Sequence, residues 1–296
     1  MSRPAASPAA MSGQNQMLLV VTAASFGASP LLLTLAVQEI PPFQLAALRA
    51  LLGLPLIALV ALSFGKLQRP SVADGITALV GGVFVIAITY VTMAAGMQYI
   101  PSGLGGILYA TMPLFTFALA ALFLDDEPMR LSQLVRIALG FAGVALIVGP
   151  QLLAEGVSGA GWGTLITLIS PLAYAIGNVW LRRRPPVNAL MLSTGMFLGG
   201  ALVLVPAALL VEGLPQLSPD GALLLTLTAL VVLATVLPAV LNYVLVRRAG
   251  ANAASLAMFL LPAFSVIYGS IFLAERLPLL AFLGLALVIA ASLRRH

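Results

Sequence analysis

The sequence predicts an all-α membrane protein of ten transmembrane helices, built as two inverted five-helix repeats with N and C termini cytoplasmic. Three observations predict it: an apolar composition, charges that punctuate ten apolar runs, and a proline-and-carboxylate pattern that recurs half a chain later. Of the 296 residues, 61% are hydrophobic and 8% charged, against about half and about a quarter in soluble domains. A helix that crosses the hydrocarbon core takes about 20 residues, so the chain has room for about nine to eleven spans. The net charge of +5 would suit nucleic acid in a soluble protein. Here the basic residues sit between apolar runs and read as topology signals, which leaves no nucleic-acid partner and makes the lipid bilayer the chain's surroundings.

Residues 1–16, rich in Ser, Pro, Ala and Gln with Arg3 as their one charge, read as a disordered tail. The apolar run after them is too long for a signal-peptide core and is a retained first helix. Cutting at Pro, Gly and charge clusters gives spans near 17–37, 43–64, 75–97, 102–124, 132–150, 160–181, 188–210, 222–245, 251–273 and 277–293. The third and fourth are parted by an uncharged stretch, Tyr99 to Gly103, in which Pro101 and Gly103 make a turn. With the N-terminus inside, the inner segments hold Arg3, Lys66, Arg69, Arg130, Arg136, Arg182, Arg183, Arg184, Arg247, Arg248, Arg294 and Arg295. The outer loops hold only Arg276, and Arg49 lies within the second span. A miscounted helix would scramble this alternation, so the positive-inside rule supports ten spans in the bacterial inner membrane.

The repeat emerges when the fourth and ninth spans are laid together. Ser102 to Pro113 and Ala251 to Pro262 are small-residue segments that end in a central proline, 149 residues apart. Asp126 and Glu275 follow at the same distance beyond each proline. The chain divides into repeats at 17–150 and 151–296 within one integral membrane domain. Five helices is an odd number, so the second copy is inverted relative to the first. Inverted repeats are the architecture of secondary transporters, in which a midplane site at the repeat interface faces each side in turn. A duplication that yields only a structural bundle, or a channel-like protein, is the competing reading.

At these residues the chain resembles the drug/metabolite transporter superfamily, in its EamA family. Ser25-Phe26-Gly27 in the first span, Pro42 and Arg49 in the second, and Gly140 and Gly143 in the fifth extend the likeness over helices 1 to 10. The first copy reads Asp125-Asp126-Glu127, so either Asp126 or Glu127 is the counterpart of Glu275. The resemblance implies a secondary transporter that exports small amphiphilic metabolites by alternating access, aromatic or neutral amino acids foremost. A multidrug or lipid carrier of the same superfamily is the further alternative.

An enzyme is not expected. The one histidine is His296, so the protease-like Gly156-Val157-Ser158-Gly159 has no intramembrane histidine to activate its serine and reads as a turn. There is no cysteine, no phosphate-binding loop and no His/carboxylate metal cluster, so neither cofactor nor metal is expected. Candidate substrate-binding residues are the polar, aromatic and Met side chains near mid-depth: Ser25, Thr89, Tyr90, Tyr109, Met112, Tyr174, Asn178, Tyr243, Met258 and Phe259. Together they would suit a moderately apolar zwitterion; singly, each reads more often as ordinary packing. Arg49 lies about 10 Å from the outer end of its span, so it can snorkel to the interface or face the bundle, where Glu39 is its possible polar pair. Pro113 and Pro262 are candidate hinges, each of which frees a carbonyl four residues earlier, those of Tyr109 and Met258. The oligomeric state is not legible in the sequence.

Overall fold

The computed structural model describes residues 12–65, 70–124, 131–185, 187–215 and 220–292. Among them there is no strand. Eight helices are long and apolar enough to cross a bilayer: α1 Gly13–Ala36, α2 Pro42–Ser63, α3 Val72–Gly96, α4 Ser102–Phe123, α5 Leu131–Glu155, α6 Gly159–Arg182, α7 Ala189–Val211 and α8 Gly221–Gly250. Two shorter apolar helices follow, α9 Leu256–Phe272 and α10 Leu279–Ser292. The expected spans and these helices agree to within a few residues.

Helix ends fall where the sequence supplies caps. Ser71 and Asp74 form a capping box at the start of α3, and the Asp220 carboxylate accepts from the Leu223 amide at 2.7 Å before α8. Each such cap contributes about 1 kcal/mol. The Ser12 hydroxyl accepts from the Asn15 amide and starts α1 at Gly13, so residues 13–16 are helical and not part of a tail. α8 ends at Gly250, at φ +84° and ψ 167°, a backbone that a residue with a β-carbon rarely adopts. Gly156, φ +62°, makes the turn between α5 and α6, where the Gly156-to-Gly159 stretch lies. Arg3, Lys66, Arg69, Arg130, Asp126, Glu127, Arg294, Arg295 and His296 lie outside the described residues.

The principal contacts map onto themselves when the halves are exchanged. α1 packs on α8 and α9 while its counterpart α6 packs on α3 and α4; α2 packs on α7, and α5 on α10. A side-chain hydroxyl ties α9 to α1: Ser265 donates to the Gly27 carbonyl at 3.0 Å. Without a hydrophobic force between helices in lipid, close approach and such bonds carry association. At the α5–α10 crossing a β-carbon on Gly143 would come within 2.7 Å of the Gly284 carbonyl. Outward faces are Leu- and Val-rich, with Leu59 63% and Leu225 71% exposed, surface suited to acyl chains.

Two wide helical turns also match. α3 is π-helical over Gly82–Ile88 and α8 over Val232–Val236, at the same place in each repeat. The Thr89 and Thr235 hydroxyls donate five residues back, to the carbonyls of Phe84 and Leu230, at 2.9 and 2.7 Å. π-turns interrupt regular helix and gather at functional sites.

Candidate functional site

Helices α1–α4 and α6–α9 surround a cavity of about 280 Å³, near the lower limit of small-molecule pockets. α3 contributes Val85, Ile86, Thr89, Tyr90 and Met93, α7 Leu190, Ser193, Met196 and Phe197, and α8 Ala234, Thr235, Asn242 and Tyr243. Phe26 and Ser29 of α1, Arg49 of α2, Tyr109 of α4, Tyr174 of α6 and Met258 of α9 complete it. Both π-turns therefore bear on it, through Val85 and Ile86 in one half and Ala234 and Thr235 in the other.

Its rings pair edge to face across the halves. Tyr90 meets Phe197 at 6.4 Å and Tyr109 meets Tyr174 at 6.1 Å, while Tyr243 meets Phe64, which lies outside the lining, at 5.9 Å. Such pairs are worth about 1 kcal/mol each beyond the area they bury. They form an apolar box with hydroxyls at its corners, able to enclose a planar or branched side chain.

Arg49 does not snorkel. It is 6% exposed, with Nε donating to the Thr235 hydroxyl at 2.8 Å and Nη2 to Ser29 Oγ at 3.2 Å and the Ala234 carbonyl at 3.3 Å. The guanidinium lies 4.1 Å from the centre of the Tyr90 ring. The expected pair with Glu39 does not form, because Glu39 is exposed in the turn after α1 while Arg49 points inward from two turns along α2.

Of the expected residues, Thr89, Tyr90, Tyr109, Tyr174, Tyr243 and Met258 line the cavity. Ser25, Met112, Asn178 and Phe259 do not. Ser25 and Phe259 each stand one residue, a rotation of about 100°, from a lining neighbour, Phe26 and Met258. Asn178 lies a turn beyond Tyr174, and the lining amide is Asn242 instead; Met112 is buried beside the break in α4. Sequence reasoning missed Ser29, Phe197, Asn242 and Thr235. Their polar or aromatic character in apolar runs was visible, but not the face of the helix they occupy.

The hinge candidates differ. At Pro113 the α-helix is broken: Ala110 and Thr111 form a turn, the Thr111 amide donates to the Leu108 carbonyl at 3.0 Å, and a new segment starts at Met112. At Pro262 α9 runs through without a break.

The cavity is one-sided. Ala189, Leu190 and Ser193 at the start of α7 and Val246 near the end of α8 carry it to the end that bears Arg182 to Arg184, Arg247 and Arg248. At the other end Leu33, Ile40, Leu45, Ile100, Leu104, Leu223 and Leu230 pack into a core. Two carboxylates bridge the halves there. Glu212, after α7, accepts from the amides of Phe43 and Gln44 at 3.1 and 2.8 Å; Glu275, after α9, accepts from the amides of Ser102 and Gly103 at 2.7 and 2.9 Å. Each thus caps the N-terminus of the counterpart helix in the other half, where a negative charge is favoured.

A family model, that of the EamA-like transporter family, matches this chain twice, over residues 15–149 and 161–293. The chain belongs to the EamA-like transporter family. Its relatives include the uncharacterized inner membrane transporter YedA of Escherichia coli K12, 25% identical over 90% of this chain and 85% of that one. The uncharacterized transporter YvbV of Bacillus subtilis is 27% identical over 85% and 81%, and a probable amino-acid metabolite efflux pump of E. coli K12 is 25% identical over 94% and 93%. A solved crystal structure of a protein shares the fold at a TM-score of 0.64 and 18% identity, over 94% of this chain and 95% of that one. This EamA-like transporter is a multi-pass inner-membrane protein, and its family and relatives are transporters rather than enzymes.

Proposed function

We propose that the protein exports small amphiphilic metabolites, aromatic or neutral amino acids foremost, by alternating access of two inverted five-helix halves. The observation that carries this is a ring-lined cavity shared by both halves that reaches one end of the bundle and is packed shut at the other. The charge alternation puts that open end, with both termini, in the cytoplasm. An exporter loads its solute from there. The name of the efflux-pump relative adds support for amino-acid metabolites. With no carboxylate among the lining residues, a proton relay through the cavity lacks its usual acid, and facilitated flux is the simpler coupling.

Counterflow of labelled phenylalanine in proteoliposomes tests the reading. Saturable exchange that accelerates with unlabelled solute on the far side is expected. Tyr90→Ala and Tyr174→Ala should each cut the rate about tenfold, the loss of one ring contact of 1–2 kcal/mol, while the folded yield in detergent changes less. Ohmic conductance, or wild-type rates in both variants, would overturn the assignment.

A further inference from the structure

We propose that the cavity selects its solute by a carboxylate, held by Arg49, and does not require an ammonium group. The inference rests on the reading of this cavity as the solute site, and names the charge that the solute must bring there.

The lining residues carry one full charge, the guanidinium of Arg49, and no carboxylate. Every acceptor that Arg49 holds is neutral: the Thr235 and Ser29 hydroxyls and the Ala234 carbonyl. Among the described residues nothing accepts from Nη1, whose two N–H groups are the unspent part of the planar fork. The Thr235 hydroxyl spends its own proton on the Leu230 carbonyl at 2.7 Å, so it is fixed as an acceptor toward Arg49. Ser29 and Thr235 orient the guanidinium on one side and the Tyr90 ring covers a face, at 4.1 Å. The charge itself stays uncompensated.

A buried cation without a counter-ion is costly in a membrane interior. Hydrogen bonds to neutral groups hold it in place but do not neutralise it. An arriving carboxylate supplies the missing charge and matches the geometry of guanidinium N–H donors, an interaction that strengthens as water is excluded. An ammonium meets the reverse situation: the only charge in the cavity repels it, and hydroxyls, the Asn242 amide and ring faces are all it can use. A solute with an acid group and an apolar body therefore binds whether or not it carries an amine, and the amine without the acid does not.

Equilibrium binding to the purified protein in detergent, with radiolabelled 3-phenylpropanoate, phenylalanine and phenethylamine, separates the charges on one carbon frame. Phenylpropanoate is expected to bind at least as tightly as phenylalanine, and phenethylamine at least about tenfold more weakly, the loss of a hydrogen bond to a charged group. Arg49→Lys, which keeps the charge and loses the fork, should weaken both carboxylates by about tenfold and leave the amine unchanged. Amine binding equal to that of the acid, unaltered acid binding in folded Arg49→Lys, or no binding of any of the three would overturn the inference. Should Arg49→Lys not fold, the three ligands on the wild-type protein decide it. Phenylalanine counterflow is measured separately. Its absence in a protein that binds the acids would overturn the transport reading and leave the carboxylate site standing.

Discussion

At the closed end of the bundle α2 begins under a carboxylate from the other half, Glu212, and α4 under another, Glu275. At the open end α7, the counterpart of α2, begins under its own Asn188, whose side-chain oxygen accepts from the Leu190 and Met191 amides at 3.1 and 3.4 Å. The two ends come from matching pieces of a repeated chain. Among the described residues the bridging carboxylates stand where the cavity is shut, while α7 at the open end is capped by its own Asn188, so the described caps of the two ends are unequal. The same inequality runs through the proline helices, with α4 broken before Pro113 and α9 continuous through Pro262. Under the proposed alternating-access mechanism, a two-fold repeat that is unequal in this way would have a second conformer in which the two ends exchange roles. Alternating access needs that pair.

The largest effect is expected from cutting both ties. With one engineered thiol at Ala94, fully buried toward the closed end, and another at Ser193 in the cavity, accessibility of each end can be read against a background without cysteine. Glu212→Gln with Glu275→Gln removes two charge-assisted caps of about 1 kcal/mol each, so labelling at position 94 should rise about thirtyfold. Unchanged labelling would mean that core packing alone holds that end shut.

A smaller effect, about tenfold, is expected at the prolines, and in opposite directions. Pro113→Ala lets α4 continue through its break and favours the conformer in which α4 is whole, so labelling at 94 rises. Pro262→Ala strengthens an α9 that is already whole and lowers it. Removing a proline from a helix interior is worth up to about 3 kcal/mol, of which a site already broken recovers only a part. Equal labelling in both variants would reduce the prolines to packing features.

The smallest effect is at Asn188→Ala. Its cap is local to α7, so thermal stability in detergent should fall by about 1 kcal/mol while the ratio of labelling at positions 94 and 193 stays that of the parent. A changed ratio would show that Asn188 also bears on the balance between ends.

Much of this was legible in the chain. The apolar runs, cut by proline, glycine and charge, correspond to the helices of the described residues, eight of spanning length and two shorter, because a spanning segment must satisfy its backbone internally and present apolar side chains to lipid. The repeat was legible from Pro113 and Pro262 and the carboxylates that follow them in the sequence, and the family model matches each half in turn. Glu275 was visible as an end-of-span carboxylate, although the amides it caps, 172 and 173 residues away, were not. Six of the ten expected residues line the cavity and four do not: a residue type says that a side chain could line a site, and only the rotation of its helix says whether it does. Phe26 lines the cavity and Ser25 does not, on a difference of about 100°.

Arg49 marks the boundary most clearly. The sequence by itself determined that one arginine would lie within a span, with Glu39 as its nearest acid. Tertiary structure alone decided that it turns inward to Ser29, Thr235 and the face of Tyr90, and that the acid stays outside. The physical reason is the packing of α2 against α7 and of α1 against α8. That packing brings neutral acceptors some 185 residues away in the chain to within 3.3 Å of the guanidinium, a proximity that no local pattern encodes. The π-turns of α3 and α8 belong to the same category: each depends on five-residue hydrogen bonds that tertiary contacts hold in place, not on any propensity of Val, Ile or Ala to form them.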